Sequence, residues 1–370
     1  MRRLTVVQLL PALQSGGVER STLEIAAALV RAGHRAVVVS AGGRLVKPLL
    51  DAGGEHLTLD IGRKSLLTLR HVVPLRRLFA EIGADIVHAR SRLPAWLGWH
   101  ALKGMPAQTR PRWVTTVHGL NSPGRYSAVM RTGERVICVS ETVRRYVLEH
   151  YPDTDPQRLR VIPRGIDVAQ FPRRPRHDRR SRAWVRELMP DLSDEQPLLL
   201  LPGRGTRLKG HTDALKLLAS LRNGGMPARL WMPGVMEAGR EAYLRELQSE
   251  ASKLGISEAV LFSEPTSRIA EAYAASDLVL QLSRKPEAFG RTVLEALSVG
   301  RPLLGWDHGG VGELLAQNQP GGAVPCFDET ALAERARQLL LQPPLPPARI
   351  PHTLQAMQAA TLKVYEELCG

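Results

Sequence analysis

The sequence predicts an α/β protein of two doubly wound parallel-sheet domains, and three observations predict it. A chain of 370 residues exceeds the usual single-domain length and can bury two hydrophobic cores. Short apolar runs alternate with helical patterns along the first half, an alternation that builds a parallel sheet covered on both faces. The pattern breaks at Pro172, Pro175 and the run Arg173, Arg174, Arg176, Arg179, Arg180 and Arg182, then starts again. The linker is expected beside that break.

The elements follow in order. Leu4 to Leu10 reads as a strand, then come a glycine-bearing loop, a helix over Ser21 to Ala32 and a strand over Arg35 to Ser40. Further buried strands are expected at Ile86 to His88, Val114 to Val117, Val136 to Val139 and Arg160 to Ile162. Past the break, strands are expected at Leu198 to Leu201, Arg229 to Met232, Val260 to Phe262, Leu278 to Leu282 and Pro302 to Trp306. Helices are expected around His211 to Leu221, Glu241 to Leu254, Glu287 to Val299 and Ala331 to Leu341. After the proline-rich stretch Pro343 to Pro351, a last helix over about Thr353 to Leu368 is expected to pack back on the first domain. The domains are drawn at 1–168 and 169–352, with 353–368 returning to the first.

Composition narrows the class. Hydrophobic and charged contents of 44% and 23% suit a soluble globular chain and set aside disordered, fibrous and multi-spanning membrane proteins. Pro11 and Gln14 interrupt the N-terminal apolar run before it could span a bilayer or form a full signal peptide, so a cytoplasmic protein is expected. Cys138, Cys326 and Cys369 lie far apart without metal-ligand or redox spacing, which reads as three quiet thiols. The net charge of +14 is lopsided: 25 Lys and Arg stand against 13 Asp and Glu through Gln170, and 25 against 23 after it. An anionic partner for the first half follows, whether nucleic acid, membrane surface or phosphorylated acceptor.

In open parallel sheets ligands sit outside the carboxyl ends of the strands, and four post-strand loops carry suitable groups. The first, Ser15, Gly16, Gly17, Val18 and Glu19, leads into a helix whose free N–H groups and dipole can meet a phosphate; the alternative is a turn needed only for close passage. It lacks the G-x-G-x-x-G spacing of a dinucleotide site. The second ends in His118 and Gly119, and such a histidine can bond a sugar hydroxyl or be a satisfied structural residue. The third carries Arg204 and Lys209 before Gly210 and a helix. Two cations there suit a diphosphate, Arg through a fork and Lys as a point charge, or form a solvated loop. The order does not match a Walker A loop. The fourth runs from Pro286 through Glu287, Phe289, Gly290, Arg291 and Thr292 to Glu295. Eight positions apart, the two glutamates lie about 80° apart around a helix, so both address one side only if Glu287 sits at or before the first turn. Glu295 can accept from ribose hydroxyls while Glu287 reaches a sugar and the N–H groups of Phe289 to Arg291 are free donors. Otherwise they are a helix-start acid and a solvated helix residue.

With these loops in this order, with Glu287-x7-Glu295 inside Glu-Ala-Phe-Gly-Arg-Thr-Val-Leu-Glu-Ala, and with Ile162-Pro-Arg-Gly-Ile-Asp167 before the linker, the chain resembles the family 4 retaining glycosyltransferases. Many of these enzymes build bacterial lipopolysaccharide core and other surface glycans. The resemblance implies the GT-B fold, two Rossmann-like domains with the active site in the cleft between them. It implies that Arg204 and Lys209 bind the donor diphosphate, Glu295 the ribose and Glu287 the transferred sugar. His118 and the backbone of Gly16 and Gly17 would lie near the anomeric centre and leaving phosphate, with Phe289, Gly290, Arg291 and Thr292 completing the donor site. Gly309, Gly310 and Glu313 would have a mainly structural role. It further implies a UDP-hexose donor, with GDP-mannose next, a glycan or glycolipid acceptor such as lipopolysaccharide core, and neither cofactor nor metal. Two departures stand out: Arg164 occupies a position where Asn is commoner, and Met232-Pro-Gly-Val lacks a second glycine.

For the acceptor side, Arg63 to Phe79 is basic and apolar together, which suits peripheral contact with an anionic inner membrane or an ordinary packed helix with a basic face. Arg63, Lys64, Arg90 and Arg92 are the candidate cations, with Trp96 and Trp99 nearby. Asp153-Thr154-Asp155, flanked by Pro152 and Pro156, reads as a capping turn and not a metal-binding pair. A sugar phosphorylase or nucleotide-sugar epimerase of the same fold is the nearer alternative. A basic nucleic-acid-binding protein is the distant one, disfavoured by 5% aromatic content and the lack of a binding motif, so that no nucleic-acid partner is expected.

Overall fold

The computed structural model describes residues 2–14 and 16–370, so Ser15 of the first glycine loop lies outside the described residues. The chain divides into two units, Met1–Gly165 with Leu354–Gly370, and Ile166–Thr353.

Unit 1 is built on β1 (Thr5–Leu9), β2 (Arg35–Ser40), β3 (Glu55–Thr58), β4 (Ile86–Ala89), β5 (Arg112–Val117), β6 (Arg135–Cys138) and β7 (Leu159–Val161). All pair in parallel, in the order β3-β2-β1-β4-β5-β6-β7. Val6 lies between Ala36 and Ile86 in the central register. Val6 and Val7 point to opposite faces and are both fully buried, as a strand covered by helices on both sides requires. The helix Leu354–Cys369 packs on Gly17–Arg31. Its Gln358 donates from Nε2 to the Glu24 carbonyl at 2.7 Å and accepts from Arg31 at 2.9 Å.

Unit 2 repeats the plan with β8 (Leu198–Leu200), β9 (Arg229–Pro233), β10 (Val260–Ser263), β11 (Leu278–Gln281), β12 (Leu303–Trp306) and β13 (Ala323–Val324), in the parallel order β10-β9-β8-β11-β12-β13. Leu199, Leu215, Leu218, Leu230 and Leu304 are fully buried in its core, each contributing about 1.5–3 kcal/mol. The expected helix over Glu287 to Val299 is shorter than predicted: it spans Arg291–Val299, because Gly290 stands at its N-cap in the left-handed region at φ 92°. Glu287 is therefore a loop residue. Among the described residues no helix is long and apolar enough to cross a membrane.

In each sheet the strand order reverses once, between β1 and β4 and between β8 and β11. Loops leaving the two strands diverge there and open a crevice, the usual ligand position in such folds. The glycine loop follows β1 and Arg90 follows β4; Lys209 follows β8 and Glu287 follows β11.

Candidate functional site

In unit 2 the loop after β8 turns at Gly210, whose φ is 74°. A Cβ there would meet the Leu282 carbonyl oxygen at 2.0 Å. Only glycine lets this loop press against the end of β11. The press brings Lys209 to Glu287, Nζ to Oε1 at 2.5 Å, and the same oxygen accepts from the Ser283 hydroxyl at 2.6 Å. The Gly310 amide donates to the Glu287 carbonyl at 2.7 Å, and His308 donates from Nε2 to the Ser283 carbonyl at 2.8 Å. Burial alone would push the Glu287 carboxyl up. The Lys209 charge and the bonds from Lys209, Ser283 and Gln281 outweigh it and hold the group below the usual carboxylate value. The pair is an ionised couple with side chains 30% and 25% exposed, reachable by a ligand.

The helix Arg291–Val299 has no side-chain cap at its N-terminal Gly290. Phe289, just before it, is buried. Glu295, one turn in, is 9% exposed and accepts from the Tyr273 hydroxyl at 2.9 Å; its other oxygen lies 3.7 Å from Arg291 Nε. Arg204 shares the Lys209 loop, is exposed, and has no side-chain partner among the described residues. The structure thus joins Lys209 to Glu287 and Arg291 to Glu295, and leaves Arg204 available. Ser283, Tyr273 and His308 escaped the sequence reading. Only Ser283 carried a signal, standing directly behind the apolar run of β11.

In unit 1 the β1/β4 switch point gathers the other candidates. Gly16 is the N-cap of the helix Gly17–Arg31. Arg90, 3% exposed, donates to Gln8 Oε1 at 2.9 Å and Ser21 Oγ at 2.7 Å, while its Nε has no partner. Burial lowers its guanidinium to about 10, which leaves it a cation at neutral pH. His118, just past β5, accepts at Nδ1 from Arg164 at 2.7 Å, and its buried Nε2 has no partner. Burial first, then the charges of Arg164, Arg90 and His88, hold the His118 pKa well below the ordinary histidine value. A pocket of about 190 Å³ is lined by Arg90, Ser91, Arg92, His118 and Asn121 among others, and by no Asp or Glu. Arg92 opens the helix Arg92–Lys103, stacks on Tyr126 at 5.1 Å and donates to Ser127 Oγ at 3.2 Å.

Arg63 and Lys64 are not among those lining residues. They precede the short helical turn Leu66–His71, where Leu66, Leu67 and Leu69 are 86%, 71% and 54% exposed. Asp155 caps the turn Pro156–Arg158 by accepting from the Gln157 amide at 2.9 Å, and Asp153 pairs with Arg131 at 2.8 Å.

Two family descriptions match this chain, Glycosyltransferase Family 4 over residues 15–170 and Glycosyl transferases group 1 over residues 189–352. The chain belongs to the family 4 glycosyltransferases. The D-inositol 3-phosphate glycosyltransferase of Xylanimonas cellulosilytica is 28% identical over 278 residues, 69% of this chain and 63% of the relative. Its counterpart in Jonesia denitrificans is 29% identical over 268 residues, 65% and 60% of the two chains. The chain therefore spans about six-tenths of the length of these curated relatives. A glycosyltransferase from Rickettsia africae superposes with a TM-score of 0.87 at 26% identity, covering 100% of this chain and 99% of its own. HepE of Anabaena, solved with UDP and glucose, gives 0.76 at 19% identity over 99% and 97%. The fold is GT-B, two Rossmann-like units.

Proposed function

We propose that this glycosyltransferase moves a hexosyl group, with retention of anomeric configuration, from a nucleotide diphosphate sugar to an anionic glycan or glycolipid acceptor. The donor is a UDP-hexose, with GDP-mannose next, and lipopolysaccharide core is the acceptor that best suits a basic first half. One observation carries the reading: the Lys209–Glu287 couple at the β8/β11 switch point, with Arg204 on the same loop. A cation and a carboxylate in contact offer one group to a diphosphate and the other to sugar hydroxyls. Glu295 would take the ribose.

The mechanism follows from where charge develops. The bond from the sugar C1 to the β-phosphate oxygen breaks while the acceptor oxygen bonds C1 on the same face, and the departing phosphate takes the acceptor proton. Arg204 and Lys209 bind that phosphate more strongly as its charge grows, which is the condition for acceleration. With two side-chain cations in this role the reaction needs no metal.

On the acceptor side, the acid-free pocket with Arg90, Arg92 and the His118 Nε2 donor supports a phosphate-bearing acceptor, and relatives named for inositol 3-phosphate point the same way. Exposed Leu66, Leu67 and Leu69 beside Arg63, Lys64 and Arg70 support peripheral contact with an anionic membrane. Product analysis tests the whole reading. Full-length protein with UDP-glucose or GDP-mannose and phosphorylated core glycolipid should yield an α-linked product in excess EDTA and much less with the dephosphorylated acceptor. Sugar phosphate or an epimerised donor as the product, or equal turnover of both acceptors, would overturn it.

A further inference from the structure

We infer that Arg164 is a positioning residue that fixes the tautomer of His118, so that the imidazole presents Nε2–H as a donor in the unit 1 pocket. The inference rests on the reading of that pocket as part of the substrate site, but its evidence is local. A guanidinium carries five N–H groups and no lone pair. Its 2.7 Å bond to His118 Nδ1 forms only when that nitrogen is bare. A neutral imidazole has one N–H, which must then sit on Nε2, the atom that is buried and without a partner.

The surroundings hold this state over a wide pH range. Arg164, Arg90 and His88 bear on the ring, and none of them stabilises an imidazolium. His88 is itself buried and engaged, with Tyr365 at 2.7 Å and Thr116 at 2.6 Å. No carboxylate lines the pocket or its inner neighbour. Arg164 is itself buried: it is 8% exposed, and one of its terminal nitrogens lies 2.5 Å from where a Cβ on residue 17 would stand. Gly17 leaves room for the guanidinium. A donor of fixed sense accepts only a ligand lone pair, which selects a sugar or phosphate oxygen over a ligand N–H.

The test reads the ring directly and needs no ligand. Full-length protein with ¹⁵N-labelled histidine is examined by long-range ¹⁵N–¹H correlation, with the His118 signals assigned by H118Q. The wild type should show a bare Nδ1 and a protonated Nε2, unchanged between about pH 5.5 and 8, the span over which a free histidine titrates. R164Q, whose amide can donate or accept, should mix the tautomers and shift the titration up toward that span. R164K, which can only donate, should restore the wild-type pattern. A protonated Nδ1 or a normally titrating ring in the wild type would overturn the inference, as would an R164Q spectrum identical to wild type. If R164Q does not fold, the wild-type spectrum decides alone. Failure of sugar transfer with the predicted tautomer intact would count against the proposed function and not against this inference.

Discussion

Replacing Lys209 with Met removes one charge from a couple and leaves the other where it was. The Glu287 carboxylate loses its 2.5 Å bond to Nζ and keeps the 2.6 Å bond from Ser283. Stranding a fully buried partner costs about 3–5 kcal/mol, and a charge-assisted hydrogen bond contributes about 1.5–3 kcal/mol. With the two side chains 30% and 25% exposed, water recovers part of this, so we expect a loss of about 2 kcal/mol. At roughly 2–4 °C per kcal/mol for a unit of this size, Tm should fall by about 4–8 °C.

The sign of the pH dependence separates this from a packing loss. In the wild type the folded pKa of Glu287 is depressed. Its contribution is present above the unfolded value and is lost as pH falls through the folded one. Without Lys209, burial dominates and raises the folded pKa, so the cost of the charged group is absent below the unfolded value and grows as pH rises through the folded one. The gap between wild type and K209M should therefore widen as pH rises through the carboxylate range toward neutrality. E287Q in the same background should recover most of the loss, since a neutral amide needs no cation. Calorimetric melts of the three proteins across that range make the test. A K209M protein within about 1 °C of wild type at neutral pH, or a gap that does not change with pH, would refute the charge-couple argument.

Glu295→Ala should cost about 1–2 kcal/mol through the orphaned Tyr273 hydroxyl and weaken nucleotide diphosphate binding by about tenfold, read by chemical denaturation and titration calorimetry. Gly210→Ala should destabilise unit 2 by several times the roughly 1 kcal/mol of an ordinary left-handed penalty, because its Cβ would meet the Leu282 carbonyl at 2.0 Å; a wild-type melt would contradict it. Changing Leu66, Leu67 and Leu69 together to Ser should abolish flotation with anionic vesicles while leaving Tm unchanged, since all three are exposed; retained flotation would remove the membrane role.

The parallel sheets were readable wherever strands are buried on both faces. Arg35 to Ser40 reads and folds as one strand with the same bounds. By contrast β3, Glu-His-Leu-Thr, has no apolar run. It is an edge strand held by Arg35 gripping both Glu55 oxygens at 2.8 Å, a contact between residues twenty apart that no local pattern reveals. The helix Arg92–Lys103 carries Pro94 and Gly98, which blur its period and hide it from a local pattern. Within the candidate site, Lys209 and Glu287 stood out as charges behind strands, yet that they touch depends on a left-handed Gly210 and a strand-order reversal. Arg164 registered only as an odd residue in a familiar segment. Its bond to His118 joins the end of β7 to the end of β5, a tertiary fact that spacing along the chain does not encode.

On the proposed function, unit 2 grips a diphosphate with Arg204 and Lys209 and a ribose with Glu295. Titrating wild type, K209M and E295A with UDP and GDP against UMP and GMP, by thermal shift and calorimetry, tests it most directly. One diphosphate should stabilise the wild type, by about 2.7 kcal/mol at a hundred times its Kd. The monophosphate should bind far more weakly, K209M should lose that preference, and E295A should weaken both. Equal binding of mono- and diphosphates, or no stabilisation by any of the four at millimolar concentration, would contradict it.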